Sequence, residues 1–196
     1  MPNLYIISGC NGAGKTTASY TVLPEMLQCN EFVNVDELAK GLSPFNPDKA
    51  AIEAGRLMLL KMHKLVDQDA DFAFETTLSP RSYVNLVQKA KNVGYHVILL
   101  YFWLNSVDLA IERVKNRVLE GGHNVSQQVI KRRYATGLVN LFERYIPICD
   151  YWMIFDNSNP KAELVAEGYW GDEPILKNNF IFEQLKQSYE SARKGK

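Results

Sequence analysis

Short apolar runs alternate along this chain with longer segments whose apolar residues recur every three to four positions. That alternation is typical of a parallel sheet whose strands are joined by helices. The run at 96–103 is the most apolar, as expected for a strand covered by helices on both faces. The apolar runs predict five strands, over 4–7, 32–35, 71–75, 96–103 and 150–156.

Helices are predicted between these strands, because apolar residues recur there at helical spacing and polar residues mark the starts. Asn46 and Pro47 are typical of a helix N-terminus, and Ser106 and Ser126 are good N-cap residues for two later helices. The predicted helices extend over 15–27, from Asn46 through Val66, from Ser79 to near Gly94, from Ser106 to Glu120 and from Ser126 to about Tyr145.

The pattern weakens in residues 160–196, which we expect to form a C-terminal appendage. Within it, 162–176 predict a hairpin and 178–192 a terminal helix. Neither a linker nor a low-complexity tract nor an internal repeat interrupts the sequence. We therefore expect one α/β domain over 1–196, with a parallel five-stranded sheet and helices on both of its faces.

Composition narrows this picture mainly by exclusion. Apolar residues are 46% and charged residues 22%, so the chain can bury a sizeable core. Lysine plus arginine equals aspartate plus glutamate, 22 of each, and a zero net charge argues against a nucleic-acid partner. The longest apolar stretch, 97–104, is far shorter than the ~20 residues that cross a bilayer, so we expect no membrane partner.

The cysteines and the N-terminus suggest a compartment. Cys10, Cys29 and Cys149 are odd in number and form no CxxC pair, so neither a disulfide framework nor a zinc site is indicated. The first residues, MPNLYIISGC, have no basic region and lead directly into a strand, unlike a signal peptide. We expect a reduced, cytoplasmic environment.

The clearest chemical signature follows the first strand. Residues 9–16, GCNGAGKT, fit the pattern G-x-x-x-x-G-K-[ST] and open the first helix, where backbone N–H groups and the helix dipole bind phosphate. Lys15 is expected to reach the β- and γ-phosphates and the Thr16 hydroxyl to ligate Mg²⁺, whereas Cys10 contributes only its backbone. The alternative is a glycine-rich structural turn. The predicted nucleotide-binding residues are Gly9, Cys10, Asn11, Gly12, Ala13, Gly14, Lys15, Thr16 and Thr17.

Asp36 is the candidate catalytic base. It lies at the end of the second strand, 20 residues after Thr16, and the strings N-K-x-D and LSGGQ of other P-loop classes are absent. In this position Asp36 resembles an aspartate of small-molecule P-loop kinases that faces the acceptor hydroxyl, and a carboxylate there can orient the hydroxyl and accept its proton. The alternative is that Asp36 caps a short helix over 37–40.

Two further polar residues close the third strand, at the carboxyl edge where open parallel sheets bind ligands. Glu75 ends a strand of apolar residues and is expected to hold a Mg²⁺-bound water or a substrate hydroxyl. Thr77 is a candidate donor to a substrate phosphate, although a threonine at this place is also a common turn residue.

A basic segment over about 111–133 resembles the lid of a phosphotransferase, whose arginines grip phosphate and exclude water. At 100° per residue, Arg117 and Arg133 flank the apolar stripes of their helices and are expected to reach inward, whereas Arg113 and Arg132 are expected in solvent. The alternative is a solvated charged face. The lid's six basic residues are Arg113, Lys115, Arg117, Lys131, Arg132 and Arg133.

The three histidines, His63, His96 and His123, show no metal-ligand spacing with cysteine or with carboxylate residues. His123 lies in the turn between the two lid helices and is a further candidate for phosphate contact.

With the P-loop, FVNVDELAKGLSP, FAFETTLS and the EGGH-to-RRY lid, the chain resembles the zeta-toxin family of P-loop kinases over about residues 3–157. The resemblance is strongest to the short bacterial branch and implies a P-loop NTPase three-layer fold with a helical lid. It further implies transfer of the ATP γ-phosphoryl to a hydroxyl, of UDP-N-acetylglucosamine in the characterised toxins, and inhibition by an antitoxin protein.

The resemblance also implies residue roles. Asp36 corresponds to the catalytic base, Lys15 and Thr16 to the groups that bind ATP and Mg²⁺, and Glu75 with Thr77 to the E-x-T substrate motif. The lid arginines, Arg117 and Arg133 among them, correspond to the phosphate clamps.

The chain departs from the family pattern at one position. An arginine follows that threonine by two residues in the better-known toxins, where this chain has Ser79, and Arg81 is its candidate substitute. We therefore expect a kinase acting on a small-molecule hydroxyl, of a UDP-N-acetylsugar or another nucleotide. The alternatives are a non-toxin metabolite kinase and a nucleotide-dependent ATPase switch that binds a protein partner.

Overall fold

The computed structural model describes residues 1–25, 27–122 and 124–195, in which strands and helices alternate as the periodicity predicts. The first part of the chain comprises β1 (Asn3–Gly9), α1 (Lys15–Glu25), β2 (Phe32–Val33), α2 (Val35–Leu42), α3 (Pro47–Asp67) and β3 (Phe72–Thr76). The second part comprises α4 (Ser82–Asn92), β4 (His96–Trp103), α5 (Val107–Leu119), α6 (Gln127–Asn140), β5 (Tyr151–Asp156), β6 (Glu163–Tyr169), β7 (Ile175–Leu176) and α7 (Asn179–Lys194). A π-helical turn (Leu141–Tyr145) and a 3-10 turn (Ile146–Ile148) continue α6.

The described residues form one seven-stranded sheet in the order β2-β3-β1-β4-β5-β6-β7. The first five strands in that order are parallel, as predicted, and β6 and β7 are antiparallel to their neighbours. The prediction of five strands is therefore too small by two. The extra strands come from the hairpin expected within 162–176, which pairs with the edge of β5 and buries Val165 and Ala166.

The central strand β4 shows why the sheet is covered on both faces. Val97 and Leu99 belong to a core cluster that includes side chains of α3, α4, α6 and α7. Leu100 and Phe102, whose side chains point to the opposite face, belong to a second cluster with α1 and α5. The architecture is thus three layers, helices on each side of a mostly parallel sheet, and the α/β P-loop prediction is confirmed.

Several helix starts were predictable from cap residues. The hydroxyls of Ser106 and Ser126 accept backbone hydrogen bonds from the residues three positions later, at 3.2 and 3.4 Å. Helix α4 instead begins at Ser82, later than the predicted Ser79, because Ser79 precedes Pro80 and the residue before a proline is disfavoured in the helical conformation. Within the described residues, the helices lack the combination of length and hydrophobicity that crossing a membrane requires.

Candidate active site

The loop between β1 and α1 is shaped by close backbone contacts. Gly9 has φ +144°, and a Cβ built there would overlap the carbonyl oxygen of Phe102 on β4, so only glycine fits. The Lys15 side chain is buried, and its Nζ donates a hydrogen bond to the Cys10 carbonyl oxygen at 2.9 Å. Lys15 therefore folds back over the loop that the motif predicts to bind phosphate.

Residues from distant elements hold this loop in place. Asn157, directly after β5, donates from Nδ2 to the Ala13 carbonyl oxygen at 2.8 Å. Asn11 is buried, and its Oδ1 accepts a hydrogen bond from Arg133 Nη1 at 3.3 Å. The loop is therefore tied both to the end of β5 and to the lid.

Glu75 is the central acceptor of the site. Its Oε2 accepts hydrogen bonds from the Thr16 hydroxyl at 2.8 Å and from the Asn34 amide at 2.9 Å. Its Oε1 lies 3.6 Å from Lys15 Nζ, and the side chains of both residues are almost fully buried. The carboxylate at the end of β3 thus contacts the P-loop lysine and threonine directly.

Asn34, which the sequence analysis did not single out, caps helix α2. Its Oδ1 accepts hydrogen bonds from the backbone N–H groups of Asp36 at 2.8 Å and Glu37 at 3.4 Å. The alternative that Asp36 itself caps the helix is therefore wrong. Strand β2 ends at Val33, earlier than predicted, because Asn34 is the N-cap and α2 begins at Val35. The Asp36 side chain lines the cavity instead.

One cavity of about 260 Å³ joins these groups. It is lined by the P-loop residues Asn11, Gly12, Gly14, Lys15, Thr16 and Thr17 and, from other elements, by Asn34, Asp36, Glu75, Thr77, Arg113, Arg117 and Arg133 among others. Of the other predicted nucleotide-binding residues, Gly9, Cys10 and Ala13 are buried and do not line it. Burial raises the pKa of the Cys10 thiol to about 11, so the thiol is protonated at neutral pH.

The lid arginines differ in one respect from the prediction. Arg117 and Arg133 line the cavity, and Arg132 is exposed, but Arg113 also lines the cavity although periodicity placed it in solvent. The Arg113 guanidinium is drawn inward because its Nη2 donates to the Ser158 carbonyl oxygen at 3.0 Å. Helical periodicity alone carries no information about that loop partner.

The cavity combines both signs of charge. Burial lowers the pKa of Arg133, and the nearby Asp36 carboxylate opposes that shift, so the two side chains interact electrostatically. Arginine remains cationic at any pH near neutrality. Lys15 and three arginines face two carboxylates, Asp36 and Glu75, which suits an anionic ligand.

Two predicted site residues are placed differently or are not described. Arg81 is exposed at the start of α4 and does not line the cavity, whereas the neighbouring Pro80 and the buried Tyr83 do. Arg81 therefore lies outside the cavity that the other predicted substrate-binding residues share. His123, the candidate for phosphate contact in the lid turn, lies outside the described residues.

Asn34 and Asn157 are the main site residues that the sequence analysis missed. Both directly follow strands whose carboxyl ends meet at the same edge of the sheet, so the rule that selected Glu75 would also have selected them.

Comparison with known proteins identifies the family. Residues 1–167 match the sequence model of the zeta toxin family. The chain belongs to the zeta toxin family. A protein of Haemophilus influenzae described as uncharacterized is 34% identical over 126 residues, which cover 64% of this chain and 88% of that protein.

Solved structures share the fold of this family member at low identity. A chain of the AvrRxo1-ORF1:AvrRxo1-ORF2 complex superposes with a TM-score of 0.76 at 19% identity, and one structure of that complex was solved with ATP. The superposition covers 94% of this chain but 63% of that one, so our chain spans less than two thirds of it.

Two smaller proteins match over more of their length. A chain of the PezAT toxin-antitoxin system of Streptococcus pneumoniae superposes with a TM-score of 0.67 at 17% identity, covering 99% of this chain and 85% of that one. A gluconokinase of Sinorhizobium meliloti gives 0.52 at 13% identity, with coverages of 98% and 92%. This zeta toxin family member therefore has the fold and the motifs of a P-loop kinase.

Proposed function

We propose that this zeta toxin family member is an ATP- and Mg²⁺-dependent kinase that transfers the γ-phosphoryl group of ATP to a hydroxyl of a small molecule. The observation that carries the proposal is the single cavity shared by the P-loop, the Asp36 carboxylate and three lid arginines. A nucleotide, an acceptor hydroxyl and a base can meet there, which phosphoryl transfer requires.

The donor atoms present fit a magnesium ion. Thr16 Oγ1 and Glu75 Oε2 are hard oxygen ligands of the kind Mg²⁺ prefers, and they lie 2.8 Å apart on the cavity. Among the described residues no group of three or more histidine, cysteine or acidic side chains could hold a metal. In nucleotide sites Mg²⁺ is usually held by one or two protein oxygens together with phosphate oxygens and water. When bound, magnesium neutralises phosphate charge.

Asp36 acts as the base in this proposal. The acceptor oxygen forms a bond to the γ-phosphorus while the bond to the β–γ bridging oxygen breaks, and ADP leaves with that oxygen. The acceptor's proton passes to the Asp36 carboxylate, which lines the cavity. This carboxylate does not cap α2, because Asn34 is the cap residue.

The cationic groups bind charge that builds on the transferred phosphoryl group. Arg133 is held at the P-loop by Asn11, and Lys15 lies within the loop itself, so both are positioned before substrate arrives. Arg113 and Arg117 add two further cations to the cavity wall. Such preorganised donors stabilise a transition state without having to reorganise.

For the acceptor we propose a phosphate-bearing molecule, a UDP-N-acetylsugar or another nucleotide. The excess of cationic over anionic side chains on the cavity supports this choice, and Thr77 supplies a hydroxyl on the same wall. The PezAT system is a toxin with its antitoxin, and by analogy we propose a protein antitoxin as partner of this chain.

The experiment measures ADP release with UDP-N-acetylglucosamine, dinucleotides, nucleosides and sugar acids as separate acceptors, using the Lys15→Ala protein as background. Stimulation by a UDP-sugar supports the proposal. Stimulation by a sugar acid or nucleoside alone assigns a metabolite kinase instead. If no acceptor stimulates turnover while ATP still binds, transfer is refuted in favour of a nucleotide-dependent switch. Growth arrest on overexpression, absent for Lys15→Ala, tests the toxin assignment separately.

A further inference from the structure

The loop that carries Thr77 is attached to helix α6 at three points. Asn140 is 2% exposed, and its Nδ2 donates to the Leu78 carbonyl oxygen at 2.7 Å. The Ser79 hydroxyl donates to the Arg133 carbonyl oxygen at 3.5 Å. At Gly137 a Cβ would lie 2.6 Å from the Thr77 carbonyl oxygen, so the helix approaches the loop backbone more closely than any other residue permits.

The loop needs this support because its backbone is strained. Leu78 is fully buried and has φ +57°, a left-handed conformation that residues with a Cβ rarely adopt. Its N–H donates to the Thr76 hydroxyl at 3.0 Å, and its carbonyl is satisfied by Asn140. Such conformations persist only where surrounding contacts hold them. The contacts from α6 therefore set where Thr77 lies on the cavity wall.

The same helix also reaches the nucleotide loop. Arg133 lies one turn before Gly137 on α6, and its guanidinium donates to Asn11 of the P-loop. Arg133, Gly137 and Asn140 lie on the same helix, and a rigid helix is one of the elements that can carry coupling between two sites. One helix thus joins the nucleotide side of the cavity to its acceptor side.

We propose that Gly137 and Asn140 are positioning residues that hold Thr77 at a fixed position relative to Arg133. Nucleotide binding at the P-loop would then order the loop that carries Thr77, residues 76–82. The assignment rests on the proposed function in taking Thr77 as an acceptor-side group. Neither residue lines the cavity, so each acts through the Thr77–Leu78 backbone and not on the ligand.

Two variants break the attachment in different ways. Gly137→Ala forces the helix and the Thr77 carbonyl apart, because the atom that the new methyl group meets is backbone and not a flexible side-chain end. Asn140→Leu keeps the outline of the side chain but removes the donor to Leu78. The matched control is Gly55→Ala in α3, where an added Cβ meets no atom within 4 Å.

The measurement is backbone hydrogen exchange of residues 76–82 with and without AMP-PNP and Mg²⁺, with a fluorescent ATP analogue reporting nucleotide affinity. In the wild type and in Gly55→Ala, nucleotide should slow exchange of 76–82 by at least about fivefold, the low end of typical site-to-site coupling. In Gly137→Ala the response should be lost although the analogue still binds. If Gly137→Ala does not fold, as thermal unfolding would show, Asn140→Leu gives the same test.

The outcomes separate this inference from the proposed function. Analogue binding without any nucleotide response of 76–82 in the wild type overturns the inference alone. An unchanged response in Gly137→Ala overturns it as well, since direct contact with nucleotide would then suffice. Failure of the wild type to bind the analogue at all refutes the proposed function, and the inference with it.

Discussion

Replacing Asp36 by asparagine separates chemistry from folding in this site. The variant keeps the size of the side chain and removes the carboxylate that would accept the acceptor's proton. A general base contributes about 10²–10⁴-fold to a rate, which corresponds to roughly 2.7–5.4 kcal/mol of transition-state stabilisation. We therefore expect Asp36→Asn to transfer phosphate about 10²–10⁴ times more slowly than the wild type.

The same variant should leave stability almost unchanged, because the N-terminus of α2 is capped by Asn34 and the Asp36 backbone N–H remains. Asp36 lies in the first turn of α2, where the helix dipole favours a carboxylate by about 0.3–1 kcal/mol, so we expect a loss of about 0.5 kcal/mol, or roughly 1–2 °C in Tm for a chain of this size. The matched variant Asn34→Ala removes the cap and the contact to Glu75, and loss of a cap costs about 1 kcal/mol, or roughly 2–4 °C.

The assay combines ADP release in the presence of a stimulating acceptor, titration with a fluorescent ATP analogue and thermal unfolding of both variants. Asp36→Asn should bind the analogue as the wild type does and unfold within about 2 °C of the wild type. Transfer at the wild-type rate would refute the assignment of Asp36 as base. A drop in Tm as large as that of Asn34→Ala would show that Asp36 has the structural role that we reject.

Four further results are expected. Lys15→Ala should weaken ATP-analogue binding by more than about tenfold, since it removes the P-loop cation, and wild-type affinity in a titration would contradict the assignment. Arg133→Ala should lower kcat by about 10²–10³ with little change in Tm, and a fall in Tm without loss of kcat would assign the residue to folding. Burial raises the thiol pKa of Cys10 and Cys29 to about 11 each, so both should resist iodoacetamide at pH 8 in the native protein and react after denaturation, as followed by mass spectrometry. Rapid labelling of the native protein would contradict the burial of these thiols. Because the two thiol pKa values lie above those of the unfolded chain, the free energy of unfolding should fall as pH rises from 9 towards 11.

Local signals were enough to predict the P-loop and the polar edge of the sheet. The motif around Lys15 and the strand that ends at Glu75 depend on neighbours in sequence, and the structure places both side chains in contact. The sequence alone did not predict which residue caps α2, because Asn34 and Asp36 are both good cap residues. Asn34 caps α2 while its amide also bonds Glu75, a residue 41 positions away that no local pattern identifies.

The remaining errors have the same origin. Periodicity places Arg113 by the apolar stripe of its own helix, whereas the carbonyl that turns it inward belongs to Ser158, 45 residues later. Likewise, an isolated hairpin within 162–176 does not reveal that β5 has an edge to receive it. Contacts between residues far apart in sequence decided each case, and those contacts are a property of the assembled sheet.

The zero net charge of the chain conceals how its charges are distributed. On the described part of the cavity wall, Lys15 and three arginines outnumber Asp36 and Glu75, so the balance over the whole chain is reached only by an acidic excess elsewhere. Lys15 and Glu75 are nearly buried and already contact each other, which reduces the cost of burying each charge before a ligand arrives. A bound triphosphate would give Lys15 a second anionic partner while Thr16 and Asn34 still donate to Glu75. The Glu75 carboxylate therefore keeps its hydrogen bonds from Thr16 and Asn34 both before and after a triphosphate binds. The buried cluster of Lys15, Glu75, Thr16 and Asn34 can accordingly remain intact with and without ligand.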